Sequence, residues 1–290
     1  MIRVIEVGPR DGLQNEPTTI PTEVKVAFVE QLARSGVDEV EVSAFVSPHR
    51  VPQLADAEAV FSKIDRRPGV VYSALVPNEK GMQRALRVGV DKIGVFTAAS
   101  ETFNQRNINA SIDESFQRFD SVVAIARDRG LAVRGYVSTA FWCPYEGRVA
   151  VSSVARVIER LLELGVDEVS IGDTIGRAAP EEVRELLETV LQIAPAERLA
   201  LHFHDTFGNG AENALTAWSL GVTAFDSSTG GIGGCPFAPG APGNLATEVL
   251  VRTLRAAGVT MNVELEALEL AKKIVAPYLR SAGQTPVSIY

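Results

Sequence analysis

The chain has 290 residues, 46% hydrophobic and 22% charged, a balance that excludes disordered and fibrous architectures and provides for a large core. Its 28 Lys and Arg against 36 Asp and Glu give a net charge of −8, and no segment concentrates the basic residues, which argues against nucleic acid as a partner. No run approaches the roughly 18 unbroken apolar residues of a membrane span, and the opening MIRVIEVGPRDG lacks the apolar stretch of a signal peptide; the expectation is a cytoplasmic protein with no membrane partner.

Short runs rich in Val and Ile alternate with longer runs of helical period, the pattern of parallel strands joined by helical crossovers. In chain order, strands are predicted at 2–7, 38–45, 70–76, 91–97, 132–138, 167–172, 199–204 and 223–228. A helix is predicted after each, at 22–35, 54–65, 79–88, 112–129, 151–164, 180–193, 210–220 and 245–257, with an extra C-terminal helix near 264–279. A weak repeat supports this parsing: GVDEVEV at 36, GVDKIGV at 89, GVDEVSI at 165 and GVTAFDS at 221. Each opens with a Gly able to end a helix in the left-handed region just before a strand, and Gly130 marks the same junction ahead of the fifth strand. Eight βα units in about 260 residues predict an α/β fold, a (β/α)8 TIM barrel rather than an open doubly wound sheet. Pro and Gly cluster in the βα loops and no linker interrupts the pattern, so residues 1–290 are expected to form a single catalytic domain, with about 260–290 as a C-terminal helical extension.

Active sites of such barrels lie at the C-terminal ends of the strands. The loop after the first strand carries Arg10 and Asp11 within Gly8-Pro9-Arg10-Asp11-Gly12; its composition suits a plain turn, and its place on the rim suits a carboxylate ligand. Alternation in the second strand puts Glu39, Glu41 and Ser43 on one face and Val40, Val42 and Ala44 on the other, and the fifth strand groups Arg134, Tyr136 and Ser138 in the same way. Glu41 and Arg134 are then either a structural ion-pair network or the support of a site. His49, alone in its loop, reads as a solvated residue, and Asp173 and Thr174 end the sixth strand at the rim.

The seventh strand places His202 and His204 on one face and Leu201 and Phe203 on the other, so the histidines are expected to point inward. Two imidazoles converging with a carboxylate such as Asp11 suit Mg²⁺, Mn²⁺ or another hard to borderline divalent ion, the alternative being a pair of hydrogen-bonded core histidines. The loop from Gly230 to Asn244 fits neither a dinucleotide fingerprint nor a P-loop. Its glycines before Cys235 and prolines after it suit a mobile lid carrying a thiol, or a flexible surface loop with an incidental cysteine. Asn244 sits where the eighth helix is predicted, as an N-cap or a further ligand. A bridge between Cys143 and Cys235 is not needed by a core of this size.

Together VGPRDGLQNE, SFQRFD, RGYVS, CPYEG, GDTIG, HFHDTFG and GIGGCPFAPGAPGNLATE closely resemble the 3-hydroxy-3-methylglutaryl-CoA lyases over nearly the whole chain, in one order. The chain is similar, more distantly, to the wider group of metal-dependent lyases and Claisen-type synthases. The resemblance implies cleavage of 3-hydroxy-3-methylglutaryl-CoA, an acyl-CoA thioester, to acetoacetate and acetyl-CoA, within leucine degradation and ketone body formation. It implies a divalent cation, Mg²⁺ or Mn²⁺, held by Asp11, His202 and His204 with Asn244 near or in its shell, and it implies a homodimer. Arg10 would bind the thioester oxygen, Cys235 would be the catalytic thiol, and Asp11 or His202 would assist as base. Gln14, Glu41 and Asn107, with Arg134, Tyr136 and Thr174, are the further substrate-binding candidates.

The chain departs from the family pattern at Trp142 and Phe203, and in the lid at Pro239 and Pro242, which stiffen the loop. Competing readings are a larger branched 3-hydroxyglutaryl-CoA as substrate, a Claisen-type condensing synthase, and an inactive binding barrel. A synthase is expected to continue into a further C-terminal domain, whereas the pattern here ends after one extra helix.

Overall fold

The computed structural model describes residues 2–233 and 243–279. Eight parallel strands close a barrel: β1 (Arg3–Glu6), β2 (Glu39–Ala44), β3 (Val71–Leu75), β4 (Lys92–Ala98), β5 (Ala132–Ser138), β8 (Glu168–Asp173), β9 (Leu199–Phe203) and β10 (Ala224–Ser227). Neighbours around the barrel follow chain order, and β1 pairs with both β2 and β10 to close it. All eight predicted strands are present within a residue or two of their expected bounds. A short antiparallel hairpin of β6 (Trp142–Cys143) and β7 (Gly147–Arg148) lies outside the barrel sheet.

The helices are α1 (Thr22–Arg34), α2 (Ala57–Lys63), α3 (Glu79–Arg87), α4 (Glu101–Ile108), α5 (Ile112–Asp128), α6 (Val151–Leu164), α7 (Pro180–Val190), α8 (Gly210–Ser219), α9 (Thr247–Ala256) and α10 (Leu265–Val275). α4 is additional to the prediction. It starts at Ser100, whose hydroxyl accepts from Phe103 N, and ends at Asn109 in the left-handed region; α5 then starts two residues later with a capping box of Ser111 and Glu114. α10, the predicted C-terminal helix, packs on α1.

The GVD repeat has a structural purpose at the barrel's N-terminal end. Gly36, Gly89, Gly130, Gly165 and Gly221 all have positive φ, ending the preceding helix as expected. The Asp that follows then clamps the neighbouring strand in both directions. Val4 N donates to Asp38 Oδ2 (2.8 Å), Tyr72 N to Asp91 Oδ2 (2.8 Å) and Val133 N to Asp167 Oδ2 (2.7 Å), while each Asp N donates back to the same residue's carbonyl. Thr223 occupies this place in the fourth copy, where the Arg3 amide bonds to its carbonyl.

The main apolar core lies between barrel and helices and includes Val40, Val42, Leu201 and Phe203. Phe203 faces this layer as expected, near Phe141, with ring centroids 6.4 Å apart. Inside the barrel, the N-terminal half is charged. Lys92 bridges Glu39 (2.9 Å) and Glu168 (3.0 Å), Arg3 reaches Glu168 from the barrel end, and Arg134 lies between Glu168 (3.0 Å) and Asp226 (2.8 Å). One expectation needs correction: Ala44 lines the interior cavity with Leu75 and Tyr136 instead of facing the helices. A β-bulge between Glu41 and Ser43 shifts the register against β3 and so changes the parity of the strand's last residues.

Candidate active site

A cavity of about 450 Å³ opens at the C-terminal end of the strands. Arg10, Asp11, Gln14, Asn107, Tyr136, Thr174, His202 and His204 all line it, so most of the predicted site residues converge. Glu41 and Arg134, expected among the substrate-binding residues, do not line it; both are 1% exposed and stand behind the lining side chains. Cys235, with Pro239 and Pro242, lies outside the described residues. His49 is exposed in its loop, as expected.

The loop after β1 is one wide helical turn, Gly8–Gly12, with Pro9 in its first turn and the Arg10, Asp11 and Gly12 amides all directed at Val7 O. That turn aims both side chains into the barrel mouth. Arg10 Nε donates to Glu41 Oε2 (2.7 Å) and Nη1 to Asp11 Oδ1 (2.5 Å). Glu41 also accepts from the Tyr136 hydroxyl (3.0 Å), and Gln14 Nε2 donates to Asp11 Oδ1 (2.9 Å). Tyr136 fits because β4 carries Gly94 beside it: a Cβ there would lie 2.7 Å from the ring. Thr174 accepts from Thr139 N (2.7 Å), an interaction that ties the β5 and β8 loops.

Asn244 reaches the site through a short antiparallel bridge to His204, made by Leu245 N to Phe203 O (2.9 Å) and Asp205 N to Gly243 O (2.7 Å). It is not the N-cap of a helix, since α9 begins at Thr247 with Ala246 in the capping position. Asn244 Nδ2 donates to Asp11 Oδ2 (3.0 Å) and to Ile232 O (3.1 Å).

Asp11, His202 and His204 each offer a ligand atom within 4.8 Å of the others. Two further facts fit a cation at this point. His204 Nδ1 and Asn244 Oδ1 are buried acceptor-capable atoms that make no hydrogen bond among the described residues, a costly state unless something shared satisfies them. The donor set of carboxylate, imidazoles and amide oxygen suits a hard to borderline divalent ion. Electrostatics agree: burial pushes the Asp11 carboxyl up, but Arg10 and the two histidines bring it down to about 2, keeping it ionised. Burial and the neighbouring His202 hold His204 down to about 4, so its imidazole is neutral and free to ligate. Burial pulls His202 down too, yet its contacts with Asp226 and Asp11 leave it above the ordinary histidine value.

Sequence reading did not single out Asp226, which lies beside His202, or Ser170, whose hydroxyl donates to Asp226. No local signal marks Asp226: β10 reads Ala-Phe-Asp-Ser, and only its pairing with β9 brings the carboxylate beside His202. Cys143 is buried in the hairpin, 3.0 Å from Ser100 Oγ. Trp142, at a departure from the family pattern, lies under Arg177 (4.0 Å) and donates its indole N–H to Glu182, which also accepts from Ala179 N at the start of α7.

The HMGL-like family model matches residues 1–275. The chain belongs to the HMGL-like family. Among its relatives, the mitochondrial hydroxymethylglutaryl-CoA lyase of Bos taurus is 48% identical over 267 residues, covering 92% of this chain and 82% of that one. The hydroxymethylglutaryl-CoA lyase YngG of Bacillus subtilis is 48% identical over 272 residues, covering 94% and 91%. The crystal structure of the HMG-CoA lyase from Brucella melitensis superimposes with a TM-score of 0.94 at 45% identity, covering 97% of this chain and 99% of that one. The HMGL-like match ends where α10 ends, so it spans the barrel and the added helix together. Among the described residues no helix is long and apolar enough to cross a membrane.

Proposed function

We propose that this chain cleaves 3-hydroxy-3-methylglutaryl-CoA to acetoacetate and acetyl-CoA, using Mg²⁺ or Mn²⁺ held by Asp11, His202, His204 and the side-chain oxygen of Asn244. The observation that carries the reading is the convergence of Asp11, His202 and His204 with a fixed Arg10 on one cavity, with Asn244 bonded to Asp11 beside them.

The reaction breaks the C2–C3 bond. The 3-hydroxyl gives up its proton to water at the open end of the cavity, since Asp11 and His202 would both be committed to the cation, and becomes the ketone of acetoacetate; the electron pair of the broken bond passes to the acetyl thioester as its enolate. The cation, when bound, supplies positive charge that lowers the pKa of the 3-hydroxyl and fixes its geometry. Arg10 provides the second positive charge. Glu41 and Asp11 occupy its Nε and Nη1, which sets the guanidinium plane and leaves its other N–H donors for the thioester oxygen as charge develops there. Asp11, held at about 2, is suited to binding a cation and poorly suited to accepting a proton. Protonation of the enolate carbon then yields acetyl-CoA, and we assign that proton to the thiol of Cys235, on the strength of the family resemblance and its sequence position between Gly233 and Asn244. Gln14, Asn107, Tyr136 and Thr174 supply polar groups along the cavity wall, and Arg50 and Arg118 at the same wall bring positive charge to an anionic CoA thioester.

The homodimer and the cytoplasmic location implied by the resemblance complete the reading, and sedimentation at twice the monomer mass checks the first. A coupled assay for acetoacetate tests the activity: product with Mg²⁺ and none with a chelator is expected. Absence of acetoacetate with both Mg²⁺ and Mn²⁺ overturns the reading. In that event, turnover of a larger branched 3-hydroxyglutaryl-CoA or condensation of a 2-oxo acid with acetyl-CoA identifies the rival.

A further inference from the structure

His202 and Asp226 occupy neighbouring strands whose register aligns Ala224 with Ala200, Phe225 with Leu201 and Asp226 with His202. The two side chains therefore emerge side by side on the inner face of the barrel. Asp226 Oδ2 lies 3.3 Å from His202 Nδ1, and the opposite ring nitrogen, Nε2, is turned toward Asp11 Oδ2 at 4.0 Å. The carboxylate cannot rotate away. Ser170 Oγ donates to its Oδ2 (2.8 Å), and Arg134 Nη2 stands 2.8 Å from its Oδ1. Arg134 is anchored in turn by Glu168 at 3.0 Å, deep in the charged half of the barrel.

An ionised carboxylate accepts hydrogen bonds and donates none, so a neutral imidazole beside Asp226 keeps its proton on Nδ1. The lone pair is then on Nε2, the nitrogen that faces Asp11 and His204. We propose that Asp226 is a positioning residue that selects this tautomer of His202 and fixes its ring plane, with Ser170 and Arg134 as its supports. This rests on the reading of His202 as a cation ligand, and it assigns to Asp226 a role outside the ligand set and outside the cavity lining. Carboxylates that accept from the far nitrogen of a ligating histidine typically raise metal affinity about 10–100-fold.

Two measurements test it without relying on turnover. In ¹⁵N-histidine-labelled, Mg²⁺-loaded protein, long-range ¹H–¹⁵N spectra should show His202 protonated on Nδ1; a proton on Nε2 overturns the proposal, and no variant is needed to see it. In Asp226→Asn, the amide N–H₂ turned to Nδ1 favours the opposite tautomer. Mn²⁺ binding to this variant, measured by electron paramagnetic resonance, should weaken about 10–100-fold. Mn²⁺ affinity within about threefold of the wild type, in a variant of wild-type circular dichroism, defeats the proposal. The acetoacetate assay on the wild type tests the function separately, so the two failures are distinguishable.

Discussion

At the level of single residues, the site depends on charges that are held in place before substrate arrives. Arg10 is 7% exposed and uses two of its N–H groups on Glu41 and Asp11, so its plane is set. Lysine at that position would keep the charge but lose the fork that spans three partners. Arg10→Lys is therefore expected to lower kcat about 10²–10³-fold with little change in KM, the loss typical of one preorganised donor at a developing oxyanion. Steady-state kinetics check this, and a kcat near the wild-type value would remove Arg10 from the role given to it. The ligands and the thiol separate by a different pair of measurements. His204→Ala should lose most Mn²⁺ affinity, whereas Cys235→Ala should bind Mn²⁺ normally and lose turnover by several orders of magnitude. A Cys235→Ala enzyme with near-normal kcat would exclude that thiol as the acid.

At the level of elements, left-handed glycines set where strands begin, and two of them differ in a way that can be measured. A Cβ on Gly130 would meet nothing within 4 Å, so Gly130→Ala should cost about 1–2 kcal/mol for the backbone alone. A Cβ on Gly36 would lie 2.4 Å from Asn262 O, on the segment whose Glu264 amide bonds to Ser35 O. Gly36→Ala should add overpacking to the same backbone term, for a total of roughly 2–4 kcal/mol by urea unfolding. Equal losses at the two sites would contradict this account. These junctions were legible because glycine before a Val-rich run is a local signal, and so were the eight strands and the inward H-x-H, which need only a period of two. α4 was not legible: eight residues between two serine caps carry too little periodicity to separate them from a loop. The bulge that turns Ala44 inward leaves no mark on composition. Asp226 became a site residue only through the register of β10 against β9, a relation between distant segments that no local pattern encodes.

At the level of the whole molecule, buried carboxylates tie the first and last βα loops together and make stability depend on pH. Glu6 is fully buried; it accepts from Gly8 N (2.9 Å) ahead of Arg10, from Thr229 N (2.9 Å), and from Thr247 Oγ1 (2.7 Å) beyond Asn244. Burial raises its pKa to about 8, against the hydrogen bonds that favour the charged form. In the unfolded chain a glutamate titrates near about 4.3. Between those two values the folded protein binds more protons than the unfolded one, so the Glu6 contribution to stability falls as pH rises through that window. Burial gives Asp173 the same sign, with its pKa raised to about 7, whereas Asp11 and Glu168, both lowered to about 2 by cationic neighbours that outweigh burial, stabilise the fold above the unfolded value and lose that contribution in acid. Because several groups titrate together, the informative quantity is a difference. Glu6→Gln preserves size and acceptor geometry toward Gly8 and Thr229 but cannot ionise, and comparison with the wild type cancels every other group. The metal-free variant should gain stability relative to the wild type as pH rises from about 5 to 8, by up to about 1.4 kcal/mol per pH unit in urea unfolding. A difference that stays constant across that range would mean that Glu6 is ionised in the folded protein at neutral pH, and that the loops carrying Arg10 and Asn244 are joined through a carboxylate anion instead of a neutral acid.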